Sequence, residues 1–364
     1  MQLRVPRRVE DIDVKWMEGA LHDHLNGATI ERVEARRLAD PGQTSEALDI
    51  AVTFCDDACP LPKRYIAKLG SNDPQVLAMI KMFGQYTREV AFYQTFRDAG
   101  IPKPKCFFSF CSEDGSRMVL LLEHLAPARC TSWRPTLAEI ELAVGYLPAF
   151  HAKWWNAPGL KEQSCLIGTS TKIFADGFAA AAAAADQVLE VHGQNAETAI
   201  ACVVAINDKM EEWQGYLDSR AYTMVHADYH GKQMFVPSSD GGNFSVIDWQ
   251  FPYVAEGPWD FARLLGTCLP NSDWTQHGDR LIGAYHNGLE ANGVTGYTRN
   301  DLLDGMRMGL IVSSMISCIA SASTDINTLA KECDALELDW KDVLFTRHNR
   351  MMIDLDVKGF VRRI

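Results

Sequence analysis

Apolar and polar positions alternate over short runs in the first third of the chain and then give way to longer helical periods. Val9 to Leu25 carries an amphipathic helical pattern, and Thr29 to Leu38 reads as a strand. The turn chemistry of Asp40-Pro-Gly-Gln-Thr-Ser45 separates it from Ala47–Phe54, which alternates like a half-buried strand. Arg64 to Leu69 predicts the next strand, with Arg64, Ile66 and Lys68 on one face. Asp73 as N-cap and Pro74 at the first helical position open a helix. Its apolar stripe runs through Val76, Met79, Ile80, Phe83, Tyr86, Val90 and Tyr93, and Gly100 and Pro102 end it. Cys106–Phe110 and Met118–Leu122 form a hairpin around Glu113-Asp-Gly115.

Beyond Glu123-His-Leu-Ala-Pro127 the pattern becomes helical. A helix over Thr136 to Trp155 is capped by Thr136 and interrupted at Pro148; others are expected over 174–191, 196–216, 258–265, 273–292 and 299–323. One strand pair, Met234–Val236 and Phe244–Ile247, is set among them, joined by the turn-rich 238–243. A turn centred on Asp240 and Gly241 places Gln233 opposite Asp248, their Cα atoms roughly 5 Å apart. The expected class is α+β. A β-rich N-terminal lobe over 1–126 precedes a mainly helical lobe over 127–364, with a hinge near Glu123–Pro127.

The balance of 35 basic and 47 acidic residues gives a net charge of -12, which excludes a general nucleic-acid binder. The ten cysteines include no CxxC pair, so a zinc site is not indicated and reduced thiols in a cytoplasmic protein are expected. The N-terminus lacks the apolar core of a signal peptide. Leu310–Ala320, the longest apolar stretch, is short and Ser-rich, so no membrane insertion is expected.

Carboxylates stand where a packed core does not choose them: Asp228 between His226 and His230, Asp248 at the end of a strand, and Glu89 beside an apolar stripe. Glu89 wants a partner, and Lys68 on the preceding strand is the candidate. Alternating His226, Asp228 and His230 also suit a zinc-type hydrolase, but no second His/Asp cluster supports that alternative. Phosphoryl transfer needs a phosphate-covering hairpin, a lysine, an acid to hold it, metal ligands and a carboxylate for the acceptor hydroxyl. The chain offers these in order: the 40–45 loop ending at Ser45, Lys68, Glu89, Asp228, Gln233 and Asp248. The spacing from Asp228 to Gln233 matches the D-x-x-x-x-N of a kinase catalytic loop.

Several stretches carry a resemblance to the aminoglycoside phosphotransferase and choline kinase group, nearest to ecdysteroid kinase-like small-molecule kinases. They are His226-Ala-Asp228-Tyr-His-Gly-Lys-Gln233, Val246-Ile-Asp248-Trp-Gln250, Glu256-Gly-Pro-Trp-Asp260-Phe-Ala, Phe150-His151-Ala-Lys-Trp154 and Arg88-Glu89-Val-Ala-Phe-Tyr93. The resemblance implies a bilobal protein-kinase-like fold and transfer of the γ-phosphoryl group of ATP or GTP to a small hydroxylated molecule. Under it, Asp228 orients the acceptor and Asp248 and Gln233 bind magnesium. Lys68, held by Glu89, meets the phosphates with Ser45, and the backbone from Glu123 to Leu125 meets the base. His226 and Asp260 support the catalytic loop. Gln233 stands where the family has Asn, and Ala227 where it has Gly; a nucleotide-binding pseudokinase is the alternative these departures raise. The acceptor is expected in the helical lobe, near Trp154, Trp155, Tyr253 and Trp259.

Overall fold

The structure, a computed structural model, describes residues 3–38, 44–322 and 326–364. In chain order its strands are β1 (Ile30–Arg37), β2 (Ser45–Phe54), β3 (Arg64–Gly70), β4 (Cys106–Cys111), β5 (Met118–Glu123), β6 (Arg129–Cys130), β7 (Ile167–Gly168), β8 (Thr223–Val225), β9 (Met234–Val236), β10 (Ser245–Val246) and β11 (Tyr253–Ala255). The helices are α1 (Val14–Ala20), α2 (His22–Leu25), α3 (Pro74–Phe83), α4 (Gln85–Thr95), α5 (Leu137–Lys153), α6 (Lys172–Ala183), α7 (Ala185–His192), α8 (Gln194–Asp208), α9 (Met210–Asp218), α10 (Pro258–Cys268), α11 (Asn271–Ala291), α12 (Arg299–Ala322), α13 (Ile326–Asp334), α14 (Arg347–Asp354) and α15 (Val357–Arg363). This is an α+β architecture of two units. One comprises Met1–Arg129 and Pro237–Gln250, the other Cys130–Val236 and Phe251–Ile364.

The first unit is built on an antiparallel sheet of order β1-β2-β3-β5-β4. Strand alternation sorts its side chains. Leu48, Ile50 and Val52 of β2, Tyr65, Ala67 and Leu69 of β3, and Val119 and Leu121 of β5 pack against Trp16, Met17 and Ala20 of α1. Lys68 lies opposite Ala47 on one side and Leu120 on the other, so the pleat directs all three to the opposite face from that core.

In the first unit two helices expected to be continuous are broken. The run over 9–25 divides at Leu21, and Asp13 caps α1 by accepting from the Trp16 N–H at 2.8 Å. The helix opened by Asp73, whose carboxylate accepts from Gln75 and Val76 as expected, ends at Gly84. There φ is +60° and the Gly84 N–H closes on Ile80 and Lys81, a left-handed stop that glycine adopts at little cost. Alpha-helix α4 starts at the next residue, so Glu89 sits on a helix of its own. At the tip of the second hairpin Ser238 and Gly241 pair, making Ser239 and Asp240 the turn, one residue earlier than expected. The opposition of Gln233 and Asp248 predicted from the later centre therefore does not follow. The loop from Asp40 to Gln43, expected to cradle phosphate, lies outside the described residues; Ser45 opens β2, opposite Gly70.

In the second unit, α5 begins with a reciprocal capping box between Thr136 and Glu139 and runs unbroken through Pro148, where an interruption was expected. Pro148 forfeits a helix hydrogen bond but is buried against Gly288 of α11, where a Cβ would come within 2.6 Å of the proline ring. The 174–191 and 196–216 runs each form two helices, meeting at Ala184 and Lys209. Every residue of α10 is buried, and α12, α5 and α14 pack on it. Alpha-helix α12 follows the expected 299–323 run to within one residue; at 24 residues it is long and apolar enough to cross a membrane, yet 72% of its apolar window is buried inside the protein. The ten cysteines are thiols, with no disulfide among the described residues.

Candidate active site

In the first unit the site is a lysine held between two acids. Lys68 projects from β3, and its Nζ donates to both carboxylate oxygens of Glu89 at 2.8 Å and to Oδ1 of Asp248 at 2.5 Å. Glu89 is 1% exposed, so α4 buries a carboxylate whose ionisation depends on that ammonium. Burial works against the charge on Lys68, but Asp248 and Glu89 together hold its pKa above the ordinary value. Burial raises the Glu89 carboxyl, with Lys68 pulling the other way and Asp248 adding to the rise. The Lys68–Glu89 pair expected from the sequence is present. The direct bond from Lys68 to Asp248 was not foreseen.

Asp248 has φ of +68°, a left-handed conformation that Asp tolerates better than most residues. Its neighbours hold it there. The indole of Trp249 stacks on Phe92 of α4 with centroids 4.3 Å apart and planes 7° from parallel. The Gln250 amide donates to Asp248 Oδ2 at 3.2 Å and accepts from the Thr44 hydroxyl at 3.3 Å. Tyr86 accepts from the Ser71 N–H at 2.7 Å and donates to the Thr44 carbonyl. A carboxylate with oxygen-rich neighbours is a donor that suits magnesium, which takes one or two carboxylates and completes its shell with phosphate and water. At the Glu123–Leu125 stretch the Glu123 N–H donates to Lys105 and the Leu125 carbonyl accepts from Ala128. His124 lies beside a buried Asp49 that Arg36 and Arg64 hold at 2.7 Å each.

In the second unit the catalytic-loop motif is gripped from α10. Asp260, fully buried, accepts from the His226 N–H at 2.8 Å and the Ala227 N–H at 2.7 Å. His151 reaches the same carboxylate at 3.3 Å, and its other ring nitrogen meets Tyr285 at 2.7 Å. His226 Nδ1 accepts from the Asp228 N–H at 3.3 Å, so His226 organises the loop. Ala227 has φ of +64°, the conformation that explains a glycine at this position in the resembling family. Replacing Ala227 by Gly should therefore raise stability by about 1 kcal/mol, read as a higher urea midpoint; a lower midpoint would show that the strain is absent. Gly231, two residues before Gln233, admits no side chain, since a Cβ would lie 1.9 Å from the Ser132 carbonyl. Gln233 ends a short 3-10 turn, its N–H on the His230 carbonyl at 2.9 Å, and its amide oxygen is a donor of the hard type magnesium takes.

Sequence reasoning missed Arg263. Its Nε and Nη2 both donate to Asp228 Oδ1, at 3.2 and 3.0 Å, and His230 Nε2 approaches the same oxygen at 3.3 Å. Burial works to raise the Asp228 carboxyl, yet the neighbouring His230 and Arg263 hold it well below the ordinary carboxylate range. Burial depresses His230's own pKa, so at neutral pH the ring supplies a hydrogen bond and Arg263 the lasting charge. The available signal was an arginine one turn after Asp260 in the apolar stretch Pro258–Cys268. Among the described residues no group of three His, Cys, Asp or Glu is arranged to hold a metal. Tyr253 and Trp259, expected near the acceptor, are buried and pack with Phe174.

The model of a family described as ecdysteroid kinase-like matches residues 44–293. No curated protein matches the chain. Among solved structures the chain is similar to an ethanolamine kinase of Plasmodium vivax, at 11% identity over 91% of this chain and 83% of that one, with a TM-score of 0.52. It is also similar to a spectinomycin phosphotransferase in complex with ADP and spectinomycin, at 13% identity over 93% of this chain and 99% of that one, with a TM-score of 0.50. The fold is thus that of the small-molecule kinases.

Proposed function

Because the chain belongs to the ecdysteroid kinase-like family, we propose that it transfers the γ-phosphoryl group of ATP or GTP to a hydroxyl of a small molecule. The observation that carries this reading is the Lys68 ammonium paired with Glu89 and beside Asp248, since a lysine positioned by one acid with a second carboxylate at hand for magnesium is the set that phosphoryl transfer uses. Lys68 meets the phosphates, Glu89 fixes its reach, and the start of β2 at Ser45 lies beside them. The backbone between Glu123 and Leu125 takes the edge of the base. Asp248 and Gln233 would hold magnesium, which when bound neutralises charge on the phosphates.

Asp228 orients the acceptor hydroxyl. The hydroxyl oxygen forms a bond to the γ-phosphorus as the bond from that phosphorus to the bridging oxygen breaks. The nucleoside diphosphate leaves, and the hydroxyl proton passes to Asp228 or to solvent. Phosphoryl transfer through a loose transition state asks for positioning more than for a strong base, which suits a carboxylate held ionised beside Arg263. The free thiols and the nucleotide requirement fit a cytoplasmic setting.

The test is a screen of steroid, sugar, amino-alcohol and antibiotic acceptors with magnesium and ATP or GTP, watching for a product heavier by one phosphoryl group. A product whose formation ceases in Asp228→Asn supports the reading. Nucleotide binding without turnover across the panel would favour the second reading, a pseudokinase, for which the substitution of Gln233 at the metal-ligand position is the reason.

A further inference from the structure

Arg263 and Asp260 stand three residues apart on α10, and both reach the catalytic loop. Asp260 takes the backbone N–H groups of His226 and Ala227, while Arg263 takes the side chain of Asp228. One buried helix therefore sets the loop's main chain and its acid together. The hold on the acid is one-sided. Nε and Nη2 both point at Oδ1, His230 approaches that same oxygen, and among the described residues no partner meets Oδ2. An arginine's planar fork fixes direction as well as distance, so this contact constrains the rotation of the carboxylate.

The arginine is anchored from behind. Nη1 donates to the Ser313 hydroxyl of α12 at 3.0 Å, and that hydroxyl meets His348 Nε2 of α14 at 2.5 Å. Burial pushes His348 down to about 3, so at neutral pH its ring is uncharged and can accept. The directions then agree: Arg263 donates to Ser313, and Ser313 donates to His348. Arg263 is 6% exposed, and with Nε, Nη1 and Nη2 all engaged it has little freedom to swing away.

We propose that Arg263 is a positioning residue for phosphoryl transfer: by pinning Oδ1 of Asp228 it leaves Oδ2 as the oxygen presented to the acceptor hydroxyl. This rests on the kinase reading above. It makes the orientation of Asp228 a property of α10 and of its anchor on α12 and α14, not of the loop alone. The groups facing Asp228 are His226 and His230 from its own loop and Arg263 from α10, with His348 behind Arg263.

The experiment compares Arg263→Ala, Arg263→Lys and Ser313→Ala with the parent, using the acceptor found in the screen. Arg263→Ala should lower kcat by roughly 30- to 100-fold with the nucleotide KM within about threefold, because the loss falls on orientation of the acceptor side. Arg263→Lys keeps the charge without the fork and should recover part of the loss; Ser313→Ala should cost less than either. The kcat profile of Arg263→Ala should gain an acid limb that the parent lacks. Parental kcat and an unchanged profile in a folded Arg263→Ala protein would overturn the proposal. Should that variant not fold, parental kcat in both Arg263→Lys and Ser313→Ala would do the same.

A readout free of turnover separates this proposal from the kinase reading. Carbon-13 carboxyl NMR of labelled aspartate, with the Asp228 signal assigned by Asp228→Asn, should show that carboxyl titrating higher in Arg263→Lys and Arg263→Ala. A signal indifferent to both variants would overturn the clamp itself. A responsive signal in a parent that phosphorylates nothing would support the clamp and defeat the kinase reading.

Discussion

Asp228→Asn should lower phosphoryl transfer by about a thousandfold or more, while the affinity for magnesium-nucleotide should stay within about twofold. The asymmetry follows from where Asp228 sits. Its contacts are with Arg263, His230 and the loop, in the unit that carries the motif proposed to orient the acceptor; the lysine and acids proposed to meet the phosphates belong to the other unit. Asparagine keeps the shape and one oxygen for Arg263, so the substitution removes the charge facing the acceptor without an empty space. Alanine is the poorer probe. It would also take away the oxygen that accepts from Arg263 and leave an empty space beside a buried guanidinium, so a loss of stability of a few kcal/mol would come on top of any chemical effect. Steady-state kinetics beside calorimetric nucleotide binding decides the matter. Turnover above a tenth of the parental rate in Asp228→Asn would remove Asp228 from the reaction.

Lys68→Met carries the second large effect, on stability as well as on turnover. The thioether fills the space of the ammonium but leaves Glu89 and Asp248 facing each other with no cation between them. Turnover should fall by about a hundredfold or more, and stability at pH 8 by about 3 kcal/mol, the scale for breaking a buried ion pair from one side. The pH dependence has a definite sign. Glu89 in the folded variant has a pKa raised above its unfolded value of about 4.5 by burial and by Asp248, now without opposition from Lys68. The folded state then holds a proton the unfolded state releases, so stability is lost as pH rises from about 4.5 through the raised folded value. Urea unfolding at pH 5.5 and pH 8 should show the deficit shrinking at the lower pH. Lys68→Met combined with Glu89→Gln should recover much of it at pH 8. A deficit that grows on acidification would sink the account.

Much of the site was legible because local patterns carried it. Strand alternation placed Lys68 on one face with Arg64 and Ile66, and the apolar stripe through Tyr86, Val90 and Tyr93 isolated Glu89 as an acid in want of a cation. The Asp260 contacts were legible as support for the loop because they lie in recognisable motifs. Arg263 was not, since its partner is 35 residues away and only the three-dimensional path of α10 brings them together. Helix breaks were misjudged for opposite reasons. Gly84 ended a helix that its apolar stripe would have continued, because a left-handed residue closes the last turn of α3. Pro148 did not end α5, because burial against Gly288 outweighed one missing hydrogen bond. The hairpin tip shifted because Ser238 and Gly241 pair around a two-residue turn, a choice between neighbouring Ser, Asp and Gly residues that composition leaves open.

Alpha-helix α10 has no outer side: each residue from Pro258 to Cys268 is buried, and two of them hold the catalytic loop. Random variation therefore has almost nowhere to land in those eleven positions without touching packing or the loop. In a library selected for function, this segment should be the most depleted of substitutions in the chain, with Asp260 and Arg263 no more permissive than Phe261 between them or Leu264 and Leu265 beyond. For protein engineering the same fact marks a boundary. A redesigned acceptor preference has to be written on other elements, with this helix left as it is.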